Sequence, residues 1–231
     1  MKFSKSLFPT LKENPQDAEL LSHKLMIRSG LIRKLASGTY NYLPAGFKCL
    51  QNVTRIIREE MNRVGALEIL MPAIHPEDLW RETGRLEIMG DDMIHFKDRH
   101  GKSNVLGPTH EEIVTDLARR EINSYKQLPM TLYQIQTKFR DEMRPRAGVV
   151  RSREFIMKDA YSFHDSEKCL NQVYEQIRQA YCRIFERCGL EYFIVQADPG
   201  AMGGGGSEEF VLFSEAGEDF VARFGETDHV F

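Results

Sequence analysis

The sequence predicts an α+β fold, a mainly antiparallel sheet flanked by helices. Helix-period and strand-period segments alternate along all 231 residues, and the clearest strand pairs are hairpins joined by short turns. No internal repeat or interdomain linker divides the chain. That combination favours antiparallel pairing with helices packed on the sheet over a doubly wound parallel sheet.

In order, Asp17 to Ser29 has helical spacing, with Leu20, Leu21 and Leu25 on one face and Gly30 as its stop. Ser37-Gly38 leads into a short strand, Thr39 to Leu43. Pro44-Ala45-Gly46 opens a longer helix whose apolar positions Leu50, Val53, Ile57 and Met61 keep helical spacing, and Gly65 ends it. Leu67 to Met71 reads as a compact strand closed by Pro72. A short helix runs from His75-Pro76-Glu77-Asp78 through Trp80. Ile94 to Lys97 and Asn104 to Leu106 form a hairpin. Thr109 and Glu112 have the spacing of a capping box, so a helix begins there and runs to about Glu121, burying Ile113, Val114 and Leu117.

Two long strands follow, Thr131 to Glu142 and a return ending at Phe163. Asp165-Ser166 caps a helix reaching Cys188, with Leu170, Val173, Ile177, Tyr181, Ile184 and Phe185 as its stripe and Gly189 as its stop. Tyr192 to Ala197 is a strand. Asp198 to Gly206 is a glycine-rich loop. Glu209 to Phe213 and Phe220 to Phe224 read as a closing hairpin.

Bulk composition narrows the function classes. With 42% hydrophobic residues the chain can bury one sizeable core. A net charge of −3 provides no global basic field, so any nucleic-acid contact must be local. Cys49, Cys169, Cys182 and Cys188 lack Cys-x-x-Cys spacing, which fits a reduced cytoplasmic setting better than zinc or disulfides. No apolar run is long enough to span a membrane, and the first residues lack a signal-peptide core.

The densest chemistry lies in the two long strands. Arg140, Arg144, Arg146, Arg151 and Arg153 fall within fourteen residues. Strand alternation puts Tyr133, Ile135 and Phe139 on one face and Gln134, Gln136, Lys138, Arg140 and Glu142 on the other. Arg140 and Glu142 are then about 6.8 Å apart along the strand. On the return strand Arg151, Arg153, Phe155, Met157, Asp159 and Tyr161 share a face. Guanidinium forks, a carboxylate and an aromatic plate suit a nucleoside triphosphate. The same residues also suit a solvated arginine-rich turn over a core phenylalanine, and the pattern alone does not separate the two. Thr109 and Glu111 can serve as acceptors for a ligand cation or simply begin a helix. The run Gly203 to Gly206 has no phosphate-loop spacing, the histidines have no metal-ligand spacing, and no nucleophilic triad is evident.

Longer blocks carry a resemblance. Phe139-Arg140-Asp141-Glu142, a loop and Arg151 to Phe155 match the Phe-Arg-x-Glu…Arg-x-x-x-Phe signature of class II aminoacyl-tRNA synthetases. Gly46 to Gly65 with Leu67 to Pro72 looks like that class's first signature. Gly107-Pro108-Thr109-His110-Glu111 looks like its amino-acid-binding loop. Over essentially its whole length the chain resembles the bacterial-type prolyl-tRNA synthetases.

The resemblance implies the class II catalytic fold, activation of proline by ATP with Mg²⁺, and transfer to tRNA(Pro). It implies that Arg140 bridges the α-phosphate and the proline carboxylate. Glu142 accepts from the adenine amine, Arg151 holds the γ-phosphate and Phe155 stacks on adenine. Thr109 and Glu111 meet the imino group, and Met157, Asp159 and Tyr161 line the proline pocket. The loop Met143 to Val150 approaches the tRNA acceptor end, and the first signature forms a homodimer interface. The third class II signature, Gly-x-Gly-x-x-Arg, is absent from the 231 residues. Residues 1–231 are therefore expected to be the N-terminal portion of a catalytic domain, without editing or anticodon domains and inactive alone. A non-catalytic synthetase-like binding or dimerisation module is the alternative. Relatives usually carry histidine where Glu208 stands.

Overall fold

The computed structural model describes residues 5–197, 206–214 and 217. In chain order the elements are α1 (Leu21–Arg28), β1 (Ile32–Ala36), β2 (Thr39–Tyr42), α2 (Pro44–Arg63), β3 (Leu67–Glu68), β4 (Ile74–Pro76), α3 (Glu77–Glu82), α4 (Arg85–Met89), β5 (Ile94–Lys97), β6 (Ser103–Leu106), α5 (Glu111–Glu121), β7 (Met130–Phe139), β8 (Glu154–Phe163), α6 (Glu167–Arg187), β9 (Phe193–Ala197) and β10 (Ser207–Val211). The fold is α+β, and among the described residues all strand pairs but one are antiparallel.

The centre is the β7–β8 hairpin. It pairs without a bulge from Met130 opposite Phe163 to Phe139 opposite Glu154. One face carries Tyr133 and Ile135 opposite Ala160 and Lys158. This face packs on α2 and α6 through Met61, Ile57, Ile177 and Tyr181. The two helices are also tied by charge. Glu60 is fully buried, and its carboxylate accepts from Arg183 Nε at 2.7 Å and Arg187 Nη1 at 2.7 Å. Burial alone would raise the Glu60 pKa; the arginines overcome it and hold the carboxyl below its ordinary value.

The other sheet face is polar, and smaller elements surround it. Met71, Val114 and Leu132 pack α5 against one edge. Trp80, Met93 and Val105 close the β4–β6–β5 sheet.

Several expectations are corrected. The first helix starts at Leu21 rather than Asp17, and its buried residues are His23 and Ile27, with Leu21 and Leu25 exposed. Leu67 to Met71 shrinks to the two-residue β3, which pairs parallel with β7, Leu67 beside Leu132. A two-residue ladder satisfies few backbone groups; Ile69 N–H donating to Tyr133 O at 2.8 Å extends it. The elements β1, β4 and α4 leave no pattern in the sequence. They are three to five residues long, too short for periodicity to register. The strand at Glu209 pairs with β9, Ser207 opposite Ala197 through Val211 opposite Phe193. Its expected partner, Phe220 to Phe224, lies outside the described residues. No helix among the described residues is long and apolar enough to cross a membrane.

Candidate active site

The floor of the site is the polar face of β7 and β8. The register sets Gln134 opposite Asp159, Gln136 opposite Met157 and Lys138 opposite Phe155. Asp159 is the hub. Its Oδ2 accepts from Gln134 Nε2 at 2.9 Å and from the Tyr161 hydroxyl at 2.7 Å. Its Oδ1 lies 2.8 Å from Lys138 Nζ, a charge contact outside hydrogen-bond alignment. Lys138 has no solvent exposure. Burial lowers its pKa against the opposing pull of Asp159. Gln134 Oε1 accepts from Met71 N–H at 3.1 Å and Gln136 Nε2 donates to Met71 O at 2.8 Å, which stitches the segment after β3 to the floor.

One wall is the loop from Gly107 into α5. Phe139 N–H donates to Gly107 O at 3.1 Å and Gly107 N–H to Ala73 O at 2.8 Å, fixing the loop beside the end of β7. Gly107 admits no side chain, because a Cβ there would lie 2.4 Å from His75 Cε1. His75 and His110 sit edge to face, centroids 4.5 Å apart, and each places Nε2 2.9 Å from Pro72 O. A carbonyl can accept twice but cannot donate. Both rings therefore carry the Nε2 proton.

Burial, followed by the neighbouring His110, lowers the pKa of His75 to about 4 from 6.5. For His110, burial leads and Lys138 follows, in the same direction. A folded-state value below the unfolded one means the unfolded chain takes up a proton first as pH falls. The protein should therefore lose stability from pH 6.5 down to about 4, by about 3 kcal/mol from His75. Thermal melts across this window should show the loss. A His75→Gln variant, which keeps a donor for Pro72 but cannot titrate, should show a shallower slope; an equally steep slope would remove His75 from the effect.

Thr109 is 3% exposed, and its Oγ1 donates to Glu111 Oε2 at 2.5 Å. Arg85 Nη1 donates to Glu111 Oε2 at 3.3 Å and to Glu112 Oε1 at 2.9 Å, and its guanidinium lies 5.4 Å from the Trp80 ring centre. Thr83 Oγ1 also donates to Glu112 Oε1, at 3.1 Å. The expected capping box is absent. The N-cap is His110, with no side-chain bond, and Glu112 turns inward to Arg85 and Thr83. A guanidinium delivered by α4 gives Glu112 a charge-assisted partner that a backbone N–H does not match. His110 N–H donates to Tyr161 Oη at 3.1 Å, joining the wall to the floor. Burial first, then Glu111 and Asp159, raises the Tyr161 pKa and keeps the phenol protonated.

The mouth is formed by the β7–β8 connection. The strand ends at Phe139, so Arg140 and Glu142 do not share a strand face as anticipated. Asp141 N–H donates to Asp92 O at 2.9 Å and draws the chain out of the ladder. The Arg140 guanidinium lies 5.4 Å from the Phe155 ring centre, and its Nη2 reaches Pro108 O only at 3.5 Å. No carboxylate pairs with it among the described residues. Glu142 Oε2 accepts from Arg151 Nε at 2.8 Å and Oε1 from Arg144 N–H at 3.0 Å. The Arg144 N–H first, then Arg151, lowers its pKa. Arg151 lies in an isolated bridge with Arg146, just before β8.

Thr109, Glu111, Asp159 and Tyr161 thus form one connected network, with Met157 on the same face and Arg140 and Phe155 at the rim. Glu142 and Arg151 form a separate pair in the loop. Sequence reasoning placed Gln134 and Lys138 on this face without giving them a task; a lysine and glutamines at period two in a strand this long were the available signal. Arg85 left none. Glu208 bonds Arg178 Nε at 3.0 Å, a partner on α6. Gly203 to Gly205 lie outside the described residues. Among those described, no cluster of three or more His, Cys, Asp or Glu side chains could hold a metal ion.

An α+β fold centred on a long antiparallel hairpin is the fold of a class II synthetase core. Residues 94–229 match the family model for the tRNA synthetase class II core domain (G, H, P, S and T), and the chain belongs to that family. It is similar to the proline–tRNA ligase of Geotalea daltonii, 55% identical over 229 residues, covering 99% of this chain and 40% of that protein. The chain thus spans well under half the length of that relative. In fold it is similar to the Giardia lamblia prolyl-tRNA synthetase solved with prolyl-adenylate, with a TM-score of 0.68 and 21% identity over 72% of this chain and 35% of the other.

Proposed function

We propose that these residues form the proline- and ATP-binding part of a prolyl-tRNA synthetase. The network joining Thr109 and Glu111 to Asp159 and Tyr161, beside an arginine with no carboxylate partner among the described residues, carries this reading. A secondary ammonium has two N–H donors, and Thr109 with Glu111 supplies acceptors for both. Met157, Asp159 and Tyr161 line the pocket for the ring. Arg140 offers its fork to the proline carboxylate and the ATP α-phosphate. Phe155, with one face covered by Arg140, offers the other to adenine. Glu142 accepts from the adenine amine once Arg151 turns to the γ-phosphate.

The proline carboxylate oxygen bonds to the α-phosphorus in line, the bond to the β-phosphate oxygen breaks, and pyrophosphate leaves. A 3′-terminal hydroxyl of tRNA(Pro), brought by the loop from Met143 to Val150, then takes the prolyl group and AMP departs. Positioning and charge stabilisation suffice, without a protein nucleophile. Mg²⁺ enters this proposal as the counter-ion of the triphosphate.

The test is proline-dependent exchange of pyrophosphate into ATP by the whole protein that carries these residues. The expected result is exchange with proline and none without; a different preferred amino acid would defeat the reading.

The proposal extends to a cytoplasmic homodimer. Phe47 and Val53 on α2, Leu67 on β3, and Leu70 are exposed apolar residues in the segment of the first signature. The four cysteines are free thiols. Sedimentation at twice the chain mass is expected, and a clean monomer would count against it.

A further inference from the structure

Outside the site just described, three side chains converge where β8 hands over to α6. His164 Nδ1 lies 3.2 Å from Cys169 Sγ, and His164 Nε2 lies 2.8 Å from Ser162 Oγ. Cys169 is the third residue of α6, a helix of 21 residues capped by Ser166, whose Oγ accepts from Cys169 N–H at 3.4 Å. The thiol therefore sits in the first turn, where unpaired backbone N–H groups converge and negative charge is favoured. When the Ser162 hydroxyl accepts from Nε2–H, Nδ1 is left without a proton and faces the sulfur. A proton acceptor aimed at a thiol, with its ring oriented by a third group, is the general arrangement of an activated nucleophile. Ser162, the partner of His164, and Leu170, next to Cys169 in sequence, line a cavity of about 310 Å³ between α6 and β10.

We propose that Cys169 is a reactive thiol that exchanges with low-molecular-weight disulfides, and that His164 is the base and Ser162 the positioning residue. In the exchange His164 Nδ1 takes the thiol proton. Cys169 Sγ bonds to one sulfur of the small disulfide, the disulfide bond breaks, and the departing thiolate takes the proton from the imidazolium. The products are a mixed disulfide on Cys169 and one free small thiol. No net oxidation of the pair of reactants occurs, and no further reagent is needed.

Cys188 is the natural internal reference. It is the C-cap of the same helix, is likewise half-buried, and lies at the end where negative charge is disfavoured.

The test is timed exposure of the full chain to oxidised glutathione, an acid quench, and peptide mapping by mass spectrometry. Cys169 should acquire the glutathionyl group about tenfold faster than Cys188. His164→Asn should reduce the Cys169 rate about tenfold and leave Cys188 unchanged. Ser162→Ala, a smaller change at the strand end, should reduce the Cys169 rate to a lesser degree and serves if His164→Asn does not fold. Equal rates at Cys169 and Cys188 in the unaltered protein would overturn the proposal. A Cys169 rate unaffected by either substitution would also overturn it.

Discussion

In the whole protein that carries these residues, Arg140→Ala is expected, on the function proposed above, to lower proline-dependent pyrophosphate exchange by about 10²–10³-fold, the effect of removing one donor aimed at developing charge. Two neighbouring arginines on this stretch already answer an acceptor on Glu142. Arg151 pairs with Glu142, and Arg153 Nε donates to Glu142 O at 3.0 Å. Among the described residues the Arg140 side chain has only the Phe155 ring and a 3.5 Å contact to Pro108 O. An exposed guanidinium without a counter-charge contributes little to folding, so the variant should melt within about 0.5 kcal/mol of the parent. The activity loss and the stability loss should therefore separate. Arg140→Lys retains the charge but not the planar fork and should fall between the two. Near-normal exchange by Arg140→Ala would remove this residue from the reaction.

Lys138→Met is expected to have the largest effect on stability. It leaves the Asp159 carboxylate buried without its cation, which typically costs about 3–5 kcal/mol. Gln134 and Tyr161 still donate to Asp159, but neither carries charge. Burial already outweighs attraction at Lys138, because its pKa falls below its ordinary value despite the carboxylate beside it. The pair is thus costly to bury and costlier to break. Pairing Lys138→Met with Asp159→Asn removes the orphaned charge and should recover part of the loss, a coupling of about 0.5–3 kcal/mol in a double-mutant cycle. Urea denaturation of the four proteins measures it. A single-variant cost under about 0.5 kcal/mol would show that the contact at 2.8 Å does not couple the two side chains.

The sequence disclosed what local rules control. Period two over ten residues fixed which side chains of β7 and β8 share a face, and Ser166 followed by an apolar stripe located α6. It did not disclose what distant partners decide. The capping box at Thr109 has the right spacing, yet Glu112 is claimed by Arg85, whose five-residue helix has no periodic pattern. The parallel β3–β7 pair rests on two residues from segments more than sixty positions apart. Strand alternation carries Glu142 onto the face of Arg140; the bond from Asp141 to Asp92 ends the strand before it. Of the site, the types and faces of Arg140, Phe155, Asp159 and Tyr161 were legible. Lys138 was visible as a residue but not as the counter-ion of Asp159, since register across a hairpin is set by the turn as much as by the pattern.

The bond from His110 to Tyr161 to Asp159 has a fixed direction. A peptide N–H only donates, so the phenol must accept from it and has one proton left, which goes to the carboxylate. The relay cannot reverse by rotating a hydroxyl, as a run of alcohols or waters can. Its dipoles stay aligned whether or not anything occupies the pocket, and a ligand arriving over Asp159 meets a field that needs no reorientation. Tyr161→Phe would therefore do more than delete one bond: it would leave the peptide N–H of His110 and one lone pair of Asp159 for solvent to satisfy, and that solvent would have to be ordered anew each time the pocket filled.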